Sequence, residues 1–244
     1  MVGVALTGAA LSGQTAAMVV IVLGFLLVLA VGSYRIQSNF YLHSINRAAT
    51  NRNSIVLSFD DGPSPATTPQ VLDVLKEFNC QAVFFCIGRK IAGNEAILQR
   101  MVGEGHLVAN HSFSHSPWFD LYSTDRMLTE LTDTNAEIYR ATGLQTNLFR
   151  PPYGVTNPML ARAVKRSGLA SIGWNKRSLD TAIKDPAKVV ARISRNLQPG
   201  DIILLHDSMA HCPAVLKAFL SFLPQTGLVV ERLDKIVEVD GVVR

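Results

Sequence analysis

The sequence predicts an α/β fold with a parallel sheet, open or closed into a barrel, preceded by an N-terminal transmembrane helix. Short apolar segments alternate with amphipathic stretches along most of the 244 residues, which is the pattern of repeated βα units. A long apolar segment without charge occupies the N-terminus. Polar clusters follow the apolar segments, at the strand ends where α/β proteins place their chemistry.

The N-terminal segment has the length of a membrane span. Residues 1–34 contain no charged residue, and Ala16–Ser33 is almost wholly apolar. About 20 apolar residues cross a bilayer core, so we interpret this segment as a retained single-pass anchor. A cleaved signal peptide is the alternative. A signal peptide has basic residues before its apolar segment, but no Lys or Arg precedes this one.

The charge of the chain is concentrated just after this segment. Arg35, Arg47 and Arg52 lie between the anchor and Ser54, with no acidic residue among them. The whole chain has 23 basic and 19 acidic residues, so the charges of the remaining chain nearly balance once these three arginines are left out. The protein therefore lacks the basic face expected of a nucleic-acid-binding domain. By the positive-inside rule, the three arginines would place the C-terminal part in the cytoplasm.

We interpret residues 35–53 as a polar juxtamembrane linker and residues 54–244 as one folded domain. Strands are predicted where short apolar segments end at turn residues: Ile55–Phe59, Ala82–Ile87, His106–Asn110, Leu148–Arg150, Leu169–Trp174, Ile202–Leu205 and Leu228–Leu233. Helices are predicted where apolar residues recur on one face: from Thr68-Pro69, around Ile97–Val102, from Asp125 through Ile138, over Met159–Ser167, from Asp185-Pro186 through Asn196 and over Val215–Leu223.

Two adjacent carboxylates follow the first predicted strand. Neighbouring residues of a strand point to opposite faces, so Asp60 and Asp61 can share a site only where the strand breaks. Gly62-Pro63 would supply that break. A solvated acidic turn is the alternative interpretation.

Three further clusters follow later strands. His111 and His115 are four residues apart and can converge on one metal ion if their segment is helical or tightly turned. Arg150 begins a rigid Arg-Pro-Pro-Tyr-Gly turn and could pair with a carboxylate. Asp180 and His206 follow two more strands, and a histidine at a strand end is a candidate acid or base.

Several other functional classes have no motif in this chain. The sequence contains no G-x-S-x-G elbow, no P-loop and no G-x-G-x-x-G, so neither a serine hydrolase nor a nucleotide-binding protein is indicated. The three cysteines, Cys80, Cys86 and Cys212, have neither disulfide nor zinc-site spacing.

Taken in order, the clusters resemble a known family. The segments Ser58–Pro63, His111–His115, Arg150–Gly154 and Leu204–His206 resemble four of the five motifs of the polysaccharide deacetylases, carbohydrate esterase family 4 with its nodulation-protein-B homology domain. The resemblance covers about Ser54 to Asp240 and implies a distorted (β/α) barrel. The fifth motif, often W-x-x-D-x-x-D-W, departs here, because Arg177 replaces the first Asp and Thr181 the second Trp.

The resemblance also implies roles for single residues. Asp61, His111 and His115 would bind one divalent metal, usually zinc, and His206 would be the general acid. Asp60 would be the general base, and Arg150 beside it would favour its charged form. The backbone N–H of Tyr153 would help hold the oxyanion, and Asp180 would orient His206.

The expected function is removal of N-acetyl groups from an amino-sugar polymer, either peptidoglycan or a chitin-like glycan. This activity would place the catalytic domain, residues 54–244, outside the cytoplasm, against the charge bias around the anchor. Two alternatives remain: an esterase that removes O-acetyl groups from a polysaccharide, and a catalytically inactive, membrane-anchored carbohydrate-binding domain.

Overall fold

The structure is a computed structural model that describes residues 13–237. The predictions for residues 1–12 and 238–244 lie outside the described part. The first element is helix α1, Gly13–Tyr34. Its segment Thr15–Tyr34 has a mean hydropathy of 2.7, and only 6% of it is buried. This segment is long and apolar enough to cross a membrane, and an N-terminal signal sequence would share both properties.

The described residues form one parallel sheet. Its strands are β1 Ser44–Ile45, β2 Ser54–Gly62, β3 Val83–Cys86, β4 Leu107–Asn110, β5 Leu148–Phe149, β6 Ala170–Ile172, β7 Lys176–Arg177, β8 Ile202–His206 and β9 Val229–Val230. They are ordered β1-β6-β5-β4-β3-β2-β8-β7, and β9 pairs with the start of β2. β6 and β7 follow one another in the chain but pair with β5 and β8 at opposite ends of this order. The sheet therefore curls into a half-barrel, which confirms the predicted distorted barrel.

Helices follow the strands on the outside of the sheet: α2 Thr68–Glu77, α3 Glu95–Gly103, α4 Thr124–Thr142, α5 Pro158–Ser167, α6 Pro186–Ser194, α7 Cys212–Phe222 and α8 Leu233–Ile236. Proline marks the start of two of these helices, because α5 and α6 each begin on a proline, which is favoured in the first turn of a helix. Asp185 caps α6 by accepting a hydrogen bond from the backbone N–H of Ala187, at 2.9 Å.

Strand alternation sorts β2 into two faces. Ile55, Leu57 and Phe59 belong to the apolar cluster shared with α2 and α7. Ser58 and Asp60 therefore point the other way, toward the interior of the half-barrel. This alternation directs the end of β2 at the candidate site.

Two predictions about the chain ends of the domain are wrong. The strand predicted over Leu228–Leu233 is only Val229–Val230, because Leu233 begins helix α8. Residues 35–53 are not a free linker either. Ile36 is 1% exposed, and β1 pairs with β6, so this segment is part of the folded body.

Candidate active site

Asp60 and Asp61 both reach the mouth of the half-barrel, at the carboxyl end of β2. Asp60 is opposite His206 in the register with β8. Asp61 has a φ of 74°, and the register with β3 shifts between Asp60 and Gly62. The break in the strand was expected at Gly62-Pro63, but the left-handed backbone of Asp61 itself makes the bulge. A non-glycine residue in this conformation is strained, and such strain is typical of functional sites.

His111 and His115 converge through a tight turn that is not helical. Ser112 and His115 have φ values of 61° and 45°, and the two imidazole centroids are 4.8 Å apart. Glu130 on α4 holds this turn, since its carboxylate accepts hydrogen bonds from the backbone N–H and the hydroxyl of Ser114, at 2.7 and 2.8 Å. Of the two arrangements that would let these histidines converge, a helix or a tight turn, the chain adopts the tight turn.

Asp61, His111 and His115 form a cluster that could hold a metal ion. Their ligand atoms all lie within 4.8 Å of one another. Asp61 Oδ1 is 3.6 Å from His111 Nε2 and 3.4 Å from His115 Nε2. His111 Nδ1 donates to the carbonyl of Arg150 at 2.8 Å, which leaves Nε2 free to ligate, as in many metal sites.

Burial keeps both imidazoles neutral, as a metal ligand must be. Loss of solvation, together with the neighbouring His115, lowers the pKa of His111 to about 3, although the charge of Asp61 opposes this shift. Loss of solvation also lowers the pKa of His115, although Asp61 and Asp60 oppose this shift. An oxygen and two nitrogen donors in this arrangement fit a divalent ion such as zinc.

Arg150 is fully buried and fixed from several directions. Its Nη1 donates to Asp60 Oδ1 at 2.7 Å and to Ser58 Oγ at 2.9 Å. Its Nε and Nη2 donate to the carbonyls of Ile172 and Gly173 at 3.0 and 2.8 Å. A buried guanidinium with these partners holds Asp60 in one orientation.

The effect of this pair on Asp60 differs from the expectation. Burial raises the pKa of Asp60 above its ordinary value, and the charge of Arg150 offsets that rise only in part. Asp60 Oδ1 is engaged by Arg150, whereas Oδ2 lies 3.7 Å from His111 Nε2 and faces the cluster of Asp61, His111 and His115. This oxygen is free to accept a proton.

His206 is held by Asp180 from a neighbouring loop. Asp180 is fully buried, and its Oδ1 lies 2.7 Å from His206 Nδ1. Its Oδ2 accepts a hydrogen bond from the backbone N–H of His206 at 2.8 Å, and Ser178 donates to Oδ1 at 2.8 Å. Burial lowers the pKa of His206, but the hydrogen bond and charge of Asp180 outweigh this, so the net pKa is raised. The protonated imidazole is therefore favoured.

Tyr153 forms the rim beside the cluster. It has a φ of 59°, and its hydroxyl donates to the carbonyl of His115 at 3.3 Å. Gly154 next to it has a φ of 71°, and a Cβ there would lie 2.4 Å from the Trp174 ring. Only glycine fits this close approach, which positions the turn against Trp174.

The chain matches the sequence model of a known protein family. The family model described as polysaccharide deacetylase matches residues 47–172 of this chain. The chain belongs to the polysaccharide deacetylase family. Members of this family are in general metal-dependent.

Similar proteins include enzymes acting on acetylated glycans. A peptidoglycan-N-acetylglucosamine deacetylase, PgdA of Listeria monocytogenes, is 31% identical over 85% of this chain and 43% of its own length. A chitooligosaccharide deacetylase of Sinorhizobium fredii is 34% identical over 79% of this chain and 89% of its own. The structure of the peptidoglycan deacetylase PdaC from Bacillus subtilis matches with a TM-score of 0.71, at 31% identity over 76% of this chain and 90% of that one. This deacetylase-family chain thus spans under half the length of the Listeria relative.

Sequence reasoning missed three supporting residues of this family member. Ser58 contacts Arg150, Ser178 contacts Asp180, and Glu130 holds the histidine turn. A polar residue on the inward face of β2, two positions before Asp60, could have drawn attention to Ser58. Glu130 is 16 residues from Ser114, and no local pattern indicates that they meet.

Proposed function

We propose that this protein is a metal-dependent hydrolase that removes N-acetyl groups from an amino-sugar polymer, peptidoglycan or a chitin-like glycan. One observation carries the proposal: the Asp60–Arg150 and His206–Asp180 pairs meet at the mouth that also holds the Asp/His/His cluster. The two titratable pairs provide a base and an acid with separately tuned environments, as hydrolysis of an unactivated amide needs.

Asp61, His111 and His115 would hold one divalent ion, which we propose to be Zn²⁺. When bound, the ion supplies Lewis-acid chemistry, polarising an amide carbonyl and lowering the pKa of water. Three protein ligands leave room for water or substrate, which is typical of catalytic rather than structural zinc sites. The Nδ1 hydrogen bond of His111 supports the proposal, because it fixes the ring with Nε2 toward the cluster.

Asp60 would act as general base. Its Oδ2 faces the cluster while Arg150 holds Oδ1, so one oxygen is free to take the proton of the attacking water. Arg150 would act through Asp60, by fixing the carboxylate and stabilising its charge. The new C–O bond forms at the acetyl carbon, and the water proton passes to Asp60.

His206 would act as general acid. Its Nδ1 is engaged by Asp180, which leaves Nε2 as the proton donor to the departing nitrogen. The C–N bond breaks, and the sugar leaves as an amine together with acetate. The backbone N–H of Tyr153, on the strained rim turn, would help hold the negative oxygen of the reacting carbonyl.

The proposed location of the protein follows from the apolar helix α1 and from where an amino-sugar polymer lies in the cell. We propose that residues 16–33 are a single-pass anchor and that residues 54–244, with residues 35–53 packed against them, are the catalytic domain, facing the extracytoplasmic side where the glycan lies. Exposed apolar residues throughout α1 support the anchor. The arginines after the span favour the opposite side, so C-terminal tagging with protease access in intact cells is the test of orientation.

An acetate-release assay tests the activity. Purified full-length protein with added Zn²⁺ is offered N-acetylated chito-oligomers, peptidoglycan and O-acetylated xylan, with Asp60→Asn as the inactive control. We expect acetate from the N-acetylated glycans. Release from the O-acetylated glycan alone would make the protein an esterase, and no release from any of them would favour the inactive carbohydrate-binding domain.

A further inference from the structure

The end of helix α1 is attached to the rim of the active site. The backbone N–H of Thr156 donates to the carbonyl of Ser33 at 2.9 Å, and the Ser33 hydroxyl donates back to the Thr156 carbonyl at 2.6 Å. Gln37 Nε2 donates to the carbonyl of Trp174 at 2.8 Å. Thr156 is only three residues after Tyr153. The span therefore ends at the catalytic mouth.

With α1 as the proposed anchor, this attachment would fix the depth of the mouth relative to the bilayer. The polar interface on each side of the hydrocarbon core is about 5–8 Å thick, and Tyr34 is the last residue of the apolar span. At the helix end, Tyr34 and Phe40 are 68% and 50% exposed, and Phe40 lies against Gly32. Exposed aromatic and apolar side chains at a span end are typical of an interfacial belt.

A pocket of about 200 Å³ lies between the helix end and the rim. It is lined by residues 34–37, Tyr153, Trp174, Asn175 and Arg177. We call it the juxtamembrane pocket. It carries two guanidinium groups and no acidic residue.

Neither guanidinium of the juxtamembrane pocket is neutralised by the protein. Arg35 and Arg177 are exposed, and neither side chain forms a hydrogen bond or an ion pair with the described residues 13–237. Arg177 lies only loosely over Trp174, at 5.9 Å from the ring centroid. It also occupies the position where the family pattern often has an Asp, so the charge at this point is inverted. Guanidinium groups that line one pocket and have no acidic partner are suited to binding phosphate.

We propose that the amino-sugar polymer is deacetylated while it is joined through phosphate to a membrane lipid, with the phosphate bound by Arg35 and Arg177. This rests on the proposed deacetylation and specifies its substrate. At headgroup depth, the phosphate of such a lipid lies level with the juxtamembrane pocket, and the sugar it carries reaches the mouth beside Tyr153. The reaction is unchanged: water adds to the acetyl carbon, acetate leaves, the amine takes the proton, and the phosphate linkage stays intact.

The test compares three acetylated substrates with full-length protein in phosphatidylcholine vesicles. They are a polyprenyl-diphosphate-linked N-acetylglucosamine, the soluble nucleotide sugar UDP-N-acetylglucosamine and a neutral chito-oligomer. Arg177→Asp is the variant. Arg195→Asp is the matched control, since Arg195 is exposed at the far end of the barrel, before β8.

We expect kcat/KM for the lipid-linked sugar to exceed that for the chito-oligomer at least tenfold. Arg177→Asp should lower kcat/KM for the lipid-linked sugar, mainly through KM, by a factor at least ten times larger than its effect on kcat/KM for the chito-oligomer. Arg195→Asp should change kcat/KM for neither substrate. Equal turnover of the lipid-linked and neutral substrates, or equal losses in Arg177→Asp, overturns the inference but leaves deacetylation standing. Preference for the soluble nucleotide sugar would show a phosphate site that is not tied to lipid, which also overturns it. No turnover of any substrate refutes the proposed function as well.

Discussion

Replacing Asp180 by Asn removes the negative charge beside His206 and nearly preserves the side-chain shape. Asp180 is fully buried, and both carboxylate oxygens contact His206, at 2.7 Å to Nδ1 and 2.8 Å to the backbone N–H. An amide can still accept one of these bonds. The substitution therefore tests the charge of the pair more than its geometry.

The structure sets the expected magnitude. A hydrogen bond to a charged group contributes about 1.5–3 kcal/mol, and salt screens this pair little, because the His206 side chain is only 15% exposed. A free-energy change of about 1.4 kcal/mol corresponds to a factor of ten. At pH values above the pKa of His206, the population of protonated His206 should therefore fall roughly ten- to hundredfold.

The sign follows from the role of the acid. Asp180 raises the pKa of His206, so activity persists as pH rises and disappears when pH passes that pKa. Without the charge, the pKa of His206 falls and the alkaline limb of kcat/KM moves to lower pH. The full, roughly ten- to hundredfold loss of activity should appear above the pKa of wild-type His206, and the loss should be smaller at lower pH.

The assay is acetate release across pH, with Asp201→Asn as the matched control. Asp201 is also buried and ion-paired, to Arg47 at 3.5 Å and Lys176 at 3.7 Å, but it lies at the start of β8, away from His206. The control should lose stability without moving the alkaline limb. An unmoved limb in Asp180→Asn, with folding intact, would refute the assignment of Asp180 as the positioning residue of the acid.

Further outcomes test the other parts of the site. The double variant His111→Ala, His115→Ala should lose its metal by elemental analysis, and full occupancy would exclude them as ligands. Asp60→Asn should keep the metal and lose most activity, and if the metal were lost instead, the roles of the two adjacent aspartates would have to be exchanged or merged. His206→Ala should slow amide cleavage far more than cleavage of an activated ester, whose leaving group needs no proton, so equal slowing would contradict its role as acid. Burial lowers the pKa of His106 from 6.5 to about 4, so the folded state binds fewer protons there than the unfolded state. The contribution of His106 to the free energy of unfolding should thus fall as pH decreases through this interval. Asp120 and Asp207, whose pKa values burial raises to about 6 and about 7, act in the opposite direction, so the wild type is compared with His106→Gln in urea titrations, and equal pH slopes would contradict the expectation.

The sequence by itself determined the order of elements and most of the chemistry-bearing positions. Apolar segments at Ile55–Phe59 and Ile202–Leu205 are strands because their alternating side chains can be buried only in a sheet covered by helices. Parallel strands bring their carboxyl ends to one edge, so polar residues following each strand were expected to meet there. Asp60 and His206 do meet, opposite one another in the register of two neighbouring strands.

Only the tertiary structure decided how these residues are aimed. The left-handed backbone at Asp61 and His115 depends on surrounding contacts that outweigh local strain, and local sequence does not indicate it. The contact of Asp180 with His206 joins positions 26 residues apart, and the contact of Ser33 with Thr156 joins positions 123 apart. A segment that was expected to be a linker became part of the folded body for the same reason: Ile36 loses its contact with water only when the half-barrel against which it packs has formed.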